Sequence, residues 1–181
     1  MRYLSSALFL FALLAGDALA QGFHVRSADV RDNTTLKSDQ VYRGSGCEGG
    51  NRSPQLEWSG APSNTRSFAV TMHDPDAANG KGWWHWIVID IPGSVTRLDS
   101  GAGKKEKLPD GARHGRNDFG SFDFGGACPP KGDKPHHYVL TVHALDIDKL
   151  PVAADAPPAS IASALHAHQI ATATLTGIYG R

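Results

Sequence analysis

The chain has 181 residues, with 18 Lys and Arg set against 18 Asp and Glu, and a formal net charge of +0 at pH 7. A balanced charge argues against electrostatic capture of nucleic acid or of a strongly anionic surface, so no nucleic-acid partner is expected. The length fits one domain with one substantial core and leaves little room for a second.

In chain order, Met1-Arg2-Tyr3, the apolar run Leu8–Leu14 and Ala18-Leu19-Ala20 form the charged start, hydrophobic centre and small-residue end of a secretory signal peptide, cleaved after Ala20. The apolar run is shorter than the roughly 18 to 20 residues a membrane helix needs, and no later stretch approaches that length, so no transmembrane segment is expected. No Cys follows the cleavage site to carry a lipid. The expectation is therefore a free periplasmic or secreted protein, residues 1–20 a signal peptide and residues 21–181 a single domain. In that oxidising setting the chain's two cysteines, Cys47 and Cys128, have a disulfide as their default state. The rival role is Cys128 as a nucleophile with a nearby His as base, which pairing would silence.

From Phe23 to Ile147, short apolar or alternating runs broken by Gly, Pro, Asn and Asp clusters predict a mainly β fold. Ser67–His73 alternates, with Phe68, Val70 and Met72 on one face and Asp74 next in phase; Pro75 ends the strand. His85–Ile91 is a second strand, with His85 in phase with Ile87, Ile89 and Ile91, closed by Pro92-Gly93. Ser94–Asn117 has little apolar periodicity and many Gly, Lys and Arg, and is expected as a long surface connection or a set of short loops, with the basic run Lys104-Lys105-Glu106-Lys107 a solvated loop. His137–Leu145 is the strongest strand, with His136 and Tyr138 on the face of Leu140 and Val142 and His137 pointing away. Ala156–Gln169, opened by Pro157-Pro158, predicts one amphipathic helix, and Ile170–Tyr179 a last strand.

Two islands carry the chemistry, His73–Trp86 and Phe124–Tyr138. Each joins a turn to a strand end, where loops present polar groups on a rigid scaffold. Imidazolium, a tyrosine hydroxyl and loop N–H groups are the donors an anion such as phosphate needs, and a neighbouring carboxylate orients the imidazole. Asp74, His85, His136 and Tyr138 supply that set, with Gly125-Gly126 allowing close backbone approach to a ligand and Pro129-Pro130 stiffening the loop. Of Trp83, Trp84 and Trp86, two are expected in ordinary core packing and one on the pocket wall. No metal site is expected, because His136 and His137 are adjacent on a strand and His166 and His168 two apart on a helix, so neither pair converges. The sequence has neither HExxH nor GxSxG. Asp74 and Asp76 flank Pro75 as a candidate acid and base, or as a turn that caps its own backbone.

Asp74-Pro75-Asp76-Ala77, the run Trp83-x-His85-Trp86-x-Val88-x-x-Ile91-Pro92-Gly93, and Gly126-x-x-Pro129-Pro130-x-Gly132 leading to His136-x-Tyr138 resemble the two signature regions of the phosphatidylethanolamine-binding protein family, also called Raf kinase inhibitor proteins. Cys47–Asn51, Gly115–Gly120 and Phe124–Pro130 resemble its bacterial, exported YbhB/YbcL-type branch. The resemblance implies antiparallel β-sheets in a Greek-key-like arrangement with peripheral helices. It also implies a pocket for phosphate or phosphorylated head groups formed by Asp74, Trp83, His85, Gly126, Pro129, His136 and Tyr138. Two positions depart from the family pattern: Ala78 stands where Pro is common, and His137 where Arg is common. The expected function is non-enzymatic binding of a small anion or phospholipid head group, without cofactor, together with modulation of another protein. The alternatives are a protein-interaction or inhibitor module with a vestigial pocket, and a hydrolase or transferase acting on a phosphorylated small molecule.

Overall fold

The computed structural model describes residues 22–181; the expected signal peptide lies outside the described residues. Eleven strands run in chain order: β1 (His24–Arg26), β2 (Thr34–Thr35), β3 (Arg43–Gly44), β4 (Cys47–Glu48), β5 (Leu56–Ser59), β6 (Ser67–Asp74), β7 (Trp83–Pro92), β8 (Arg97–Leu98), β9 (Arg113–His114), β10 (His136–Leu145) and β11 (Gln169–Tyr179). A helical turn α1 (Ala77–Gly80) links β6 to β7, and helix α2 (Pro158–His168) precedes β11.

The main sheet has the order β2-β11-β10-β6-β7-β9, and a smaller one the order β1-β5-β8. Within the main sheet β10 returns to lie beside β6, outside β7 and β9, which is the strand order of a Greek key. The pairing departs from the all-antiparallel expectation at one edge, where β2 runs parallel to β11. Both faces of the main sheet are buried. Phe68, Val70, Met72, Val88, Leu140 and Val142 pack against Leu56, Trp58 and Leu98 of the smaller sheet. On the other face Ala69, Ile87 and Ile89 meet Leu150, Ile161 and Leu165. This double burial explains why β7 and β10 read as nearly unbroken apolar runs. In α2, Ile161 and Leu165 lie one turn apart on the buried stripe, and Pro158 opens the helix where its missing N–H costs nothing.

Two bulges interrupt β7 and change the phase expected of it. Val70 pairs with Val88 but Phe68 pairs with Ile91, so one residue is extra between them, and Asp90 there adopts φ +62°. Ile91 is thereby moved to the face of Trp86 and Val88, away from Ile87 and Ile89. At the other end Met72 pairs with Trp86 and His73 with Trp84, leaving His85 as the extra residue. The expected surface connection Ser94–Asn117 is also corrected. Leu98, Ala102, His114 and Asn117 within it are buried, because β8 and β9 complete the edges of both sheets. No described helix is long and apolar enough to cross a membrane.

Candidate functional site

At the end of β6, β7 and β10 a cavity of about 500 Å³ opens between α1 and the Cys128–Asp133 loop. Its construction begins with Pro75, which stops β6 and turns the chain back over the carboxylate before it. Asp74, 2% exposed, accepts from the N–H groups of Asp76 (2.9 Å) and Ala77 (3.1 Å) with Oδ1. Its Oδ2 accepts from His136 Nδ1 at 2.8 Å. One carboxylate therefore caps the turn and fixes an imidazole on the neighbouring strand. His136 Nε2 lies 3.6 Å from Asp133 Oδ2 at the cavity edge.

His85 owes its orientation to the bulge. An extra residue in a ladder re-aims its side chain, and the His85 ring stands edge-on to Tyr138 at 5.2 Å and to Phe119 at 5.3 Å. Its Nδ1–H donates to the carbonyls of Gly125 (2.9 Å) and Gly126 (3.1 Å), which leaves Nε2 as the free ring nitrogen. Burial pushes its pKa below the ordinary imidazole value, so the neutral ring is favoured. Tyr138, 1% exposed, has a hydroxyl that makes no hydrogen bond of good geometry with the described residues, although the Asp74 carboxylate and the Cys128 backbone N–H lie close to it. Burial, reinforced by the Asp74 carboxylate, pushes its pKa up, so the O–H remains a donor.

Of the seven residues expected in the site, Asp74, Trp83, His85, Pro129, His136 and Tyr138 line the cavity. Gly126 does not; it stands behind His85 as a carbonyl acceptor. A Cβ at Gly126 would come within 2.5 Å of Gln40 O, and one at Gly125 within 2.4 Å of the Phe119 ring. These glycines serve close packing of protein against protein, where approach to a ligand was expected. Trp86 is core, and Trp84 packs on the α2 side, its ring 4.3 Å from that of His73, so Trp83 alone of the three walls the pocket. Sequence reasoning missed Phe119 and Asp133 as lining residues, and read Asp76 as a candidate acid or base or a turn cap without placing it in the pocket. Asp133 had a readable signal, a carboxylate three residues before His136. Phe119 lies in the Gly115–Gly120 motif, but nothing local in it points to the pocket, which its loop meets only through tertiary folding.

Cys47 and Cys128 form a disulfide, with Cα atoms 6.1 Å apart, which removes Cys128 as a nucleophile. The disulfide ties the pocket wall to β4. Arg181 braces the same place, its guanidinium donating to the carbonyls of Pro129 (2.7 Å) and Gly46 (2.7 Å). On the opposite rim α1 holds Ala78 at φ +51° and Asn79 at φ +58°. A Pro, locked near φ −65°, does not fit the conformation at 78, which accounts physically for the Ala there. His137, in the other departing position, uses both its backbone N–H and Nδ1 to bind Asp76 Oδ2, each at 2.8 Å. Those bonds, the backbone one foremost, hold Asp76 below the usual carboxylate range. The lining thus contains Asp74, Asp76 and Asp133 and no Lys or Arg.

The sequence model of the phosphatidylethanolamine-binding protein family matches residues 26–180. The chain belongs to that family. Among its relatives, YbcL of Escherichia coli strain K12 is 51% identical over 172 residues, covering 94% of each chain. YbhB of the same organism is 42% identical over 154 residues, covering 84% of this chain and 97% of its own. The crystal structure of E. coli YbcL, described as a member of the mammalian phosphatidylethanolamine-binding protein family, superposes with a TM-score of 0.86 at 52% identity, over 89% of this chain and 99% of that one. The family assignment thus rests on sequence and fold alike.

Proposed function

We propose that this member of the phosphatidylethanolamine-binding protein family is an exported protein that binds a small phosphorylated head group carrying an amine, and does not turn it over. The Tyr138 hydroxyl carries this reading. An unpaired buried donor costs about 1–3 kcal/mol, which a ligand oxygen in its path would offset. A phosphoryl oxygen there would lie against the His136 ring, which Asp74 orients and whose Nε2 donates to it only as an imidazolium balanced by that carboxylate. Three carboxylates and the free Nε2 of a neutral His85 are acceptors. They disfavour a bare dianion and favour a ligand that also brings N–H or O–H donors, as phosphoethanolamine does. Trp83, Phe119 and Pro130 give the same cavity apolar walls for attached methylene groups.

Binding is favoured over covalent chemistry because Cys128, the candidate nucleophile, is in a disulfide, and the candidate acid and base, Asp74 and Asp76, are engaged by backbone N–H groups, His136 and His137. Export is supported by the N-terminal sequence and by a disulfide that persists in an oxidising compartment.

Calorimetric titration of residues 21–181 with inorganic phosphate, phosphoethanolamine and short-chain phosphatidylethanolamine, beside Tyr138→Phe, tests the reading. Phosphoethanolamine should bind more tightly than phosphate. The variant should bind about tenfold more weakly while its thermal midpoint is equal or higher, because the change deletes an unpaired buried polar group. Equal affinities of variant and parent, or no heat with any ligand, would overturn the proposal.

A further inference from the structure

A second cleft, of about 270 Å³, lies away from the pocket, between residues 50–53, the Gly101–Lys107 segment and Asp123-Phe124. Its walls carry Arg52, Lys104 and Lys107 against one carboxylate, Asp123, whose Oδ1 already accepts from the Ser121 hydroxyl. Of the other described arginines, Arg26, Arg66, Arg97 and Arg113 pair with carboxylates and Arg43 and Arg181 with carbonyls, while Arg31 and Arg116 stand alone on the surface. The side chains of Arg52, Lys104 and Lys107 make no hydrogen bond or ion pair with the described residues. Two of them converge, since Arg52 Nε lies 3.5 Å and Lys107 Nζ 3.8 Å from the point where a Cβ of Gly101 would stand, and Lys104 lines the same cleft. Gly101 has φ +84° and no side chain, which keeps that space open.

The floor supplies an independent observation. Ser53 is 1% exposed; its carbonyl accepts from Gly101 N (2.8 Å) and its Oγ from Gly103 N (2.7 Å). Its own O–H donates to none of the described groups, although it lines the cleft. The backbone N–H groups of Asn51, Arg52, Gly101 and Lys107 are all engaged within the protein, so recognition falls to side chains. A guanidinium fork beside ammonium groups, with a buried hydroxyl beneath, matches the several oxygens and double charge of a tetrahedral dianion.

We propose that this cleft is a separate binding site for a phosphate monoester or inorganic phosphate, gripped by Arg52, neutralised by Lys104 and Lys107, and met from below by the Ser53 hydroxyl. It is independent of the pocket reading. Different residues line the two sites, and each can be followed by its own amide signals.

Amide chemical shifts of Gly101, Gly103 and Phe124 in residues 21–181 should be followed at constant ionic strength. Inorganic phosphate, glycerol phosphate and vesicles with or without phosphatidic acid are the titrants, and sodium chloride is the control. Saturable shifts with the free phosphates assign a soluble ligand, and saturation only with phosphatidic acid vesicles assigns a lipid head group. In Arg52→Gln the apparent affinity should fall at least about tenfold, as expected for loss of charge-assisted hydrogen bonds. Arg52→Gln/Lys107→Gln should lose more, with unchanged thermal midpoints and unchanged Ala77 and Tyr138 amides. Shifts that chloride reproduces, that never saturate, or that survive both substitutions would overturn the proposal.

Discussion

The pocket and the basic cleft share one short stretch of chain. Phe124 lines the cleft, while the carbonyls of Gly125 and Gly126 hold His85 in the pocket, and Asn51 braces the stretch by accepting from Gly126 N at 2.7 Å. Their charges are opposite: three carboxylates and no Lys or Arg in the pocket, three cations and one carboxylate in the cleft. Asp74, His85, His136 and Tyr138 are buried while Asp76 and Asp133 reach solvent, so selection at the pocket floor depends on which donors and acceptors remain free in a low-dielectric space. The cleft's charges stand near solvent, where attraction is screened within about 8–10 Å at physiological salt. On the two proposals a protein with no net charge would present two chemically different anion sites, with the cleft the more sensitive to salt.

The largest effect that separates the two regions concerns the disulfide, whose Cys128 lines the pocket and not the cleft. Closing an 81-residue separation stabilises by roughly 4–5 kcal/mol in the chain-entropy account. Reductant, or Cys47→Ser/Cys128→Ser, should then lower the thermal midpoint by roughly 8–20 °C. Below the new midpoint, head-group binding should weaken while phosphate shifts at Gly101 persist. Calorimetry with and without reductant reads the first, and amide shifts read the second. An unchanged midpoint would mean that the 128–133 wall is held by packing and Arg181 alone.

The next effect is of pH. Burial pushes the pKa values of His85, His114 and His143 down. The unfolded chain, with imidazoles near 6.5, binds protons that the folded chain refuses, so stability is full above about pH 6.5 and falls as pH drops toward the lowered folded values. Each imidazole contributes a slope of up to about 1.4 kcal/mol per pH unit in that window. Denaturant midpoints measured between pH 7.5 and 5 should show a slope steeper than one proton. His85→Gln should remove one imidazole's share and disturb only the pocket. Asp76 acts at lower pH, because its lowered pKa keeps its contribution until the carboxylate range is passed.

Asp74→Asn should cost about 1–3 kcal/mol, since the substituted amide cannot accept on both sides from two backbone N–H groups and His136. Pocket binding should fall with it, and cleft shifts should stay as they are, measured on the same sample. The smallest effect is at the pocket rim. Ala78→Gly relieves a left-handed alanine and should raise stability by less than about 1 kcal/mol. Ala78→Pro, which cannot adopt that φ, should reshape α1 and reduce head-group affinity; denaturation and titration curves check the pair.

Legibility in the sequence followed locality. The alternation of Ser67–His73 and the spacing of His136, Tyr138, Leu140 and Val142 reproduce the observed faces, because a strand's period of two is a property of the chain itself. The Pro157-Pro158 start of α2 is local in the same way. The phase of His85 was misread because a bulge depends on what the partner strand needs, and nothing near residue 85 announces it. The basic run at Lys104–Lys107 reads as a solvated loop until Arg52, some fifty residues earlier, is brought beside it by the Ser53 hydrogen bonds.

By itself the sequence determined the mainly β character, the pairing partners available to two cysteines, and the residue types from which a phosphate pocket is made. Each follows from local sterics, composition or a short motif. Tertiary structure alone decided that Gly126 serves packing, that Phe119 and Asp133 complete the pocket, and that Arg52 and Lys107 meet over Gly101 with Lys104 in the same cleft. Those outcomes depend on long-range register and close packing, and the free energy of such contacts is a property of pairs of distant segments that neither segment encodes alone.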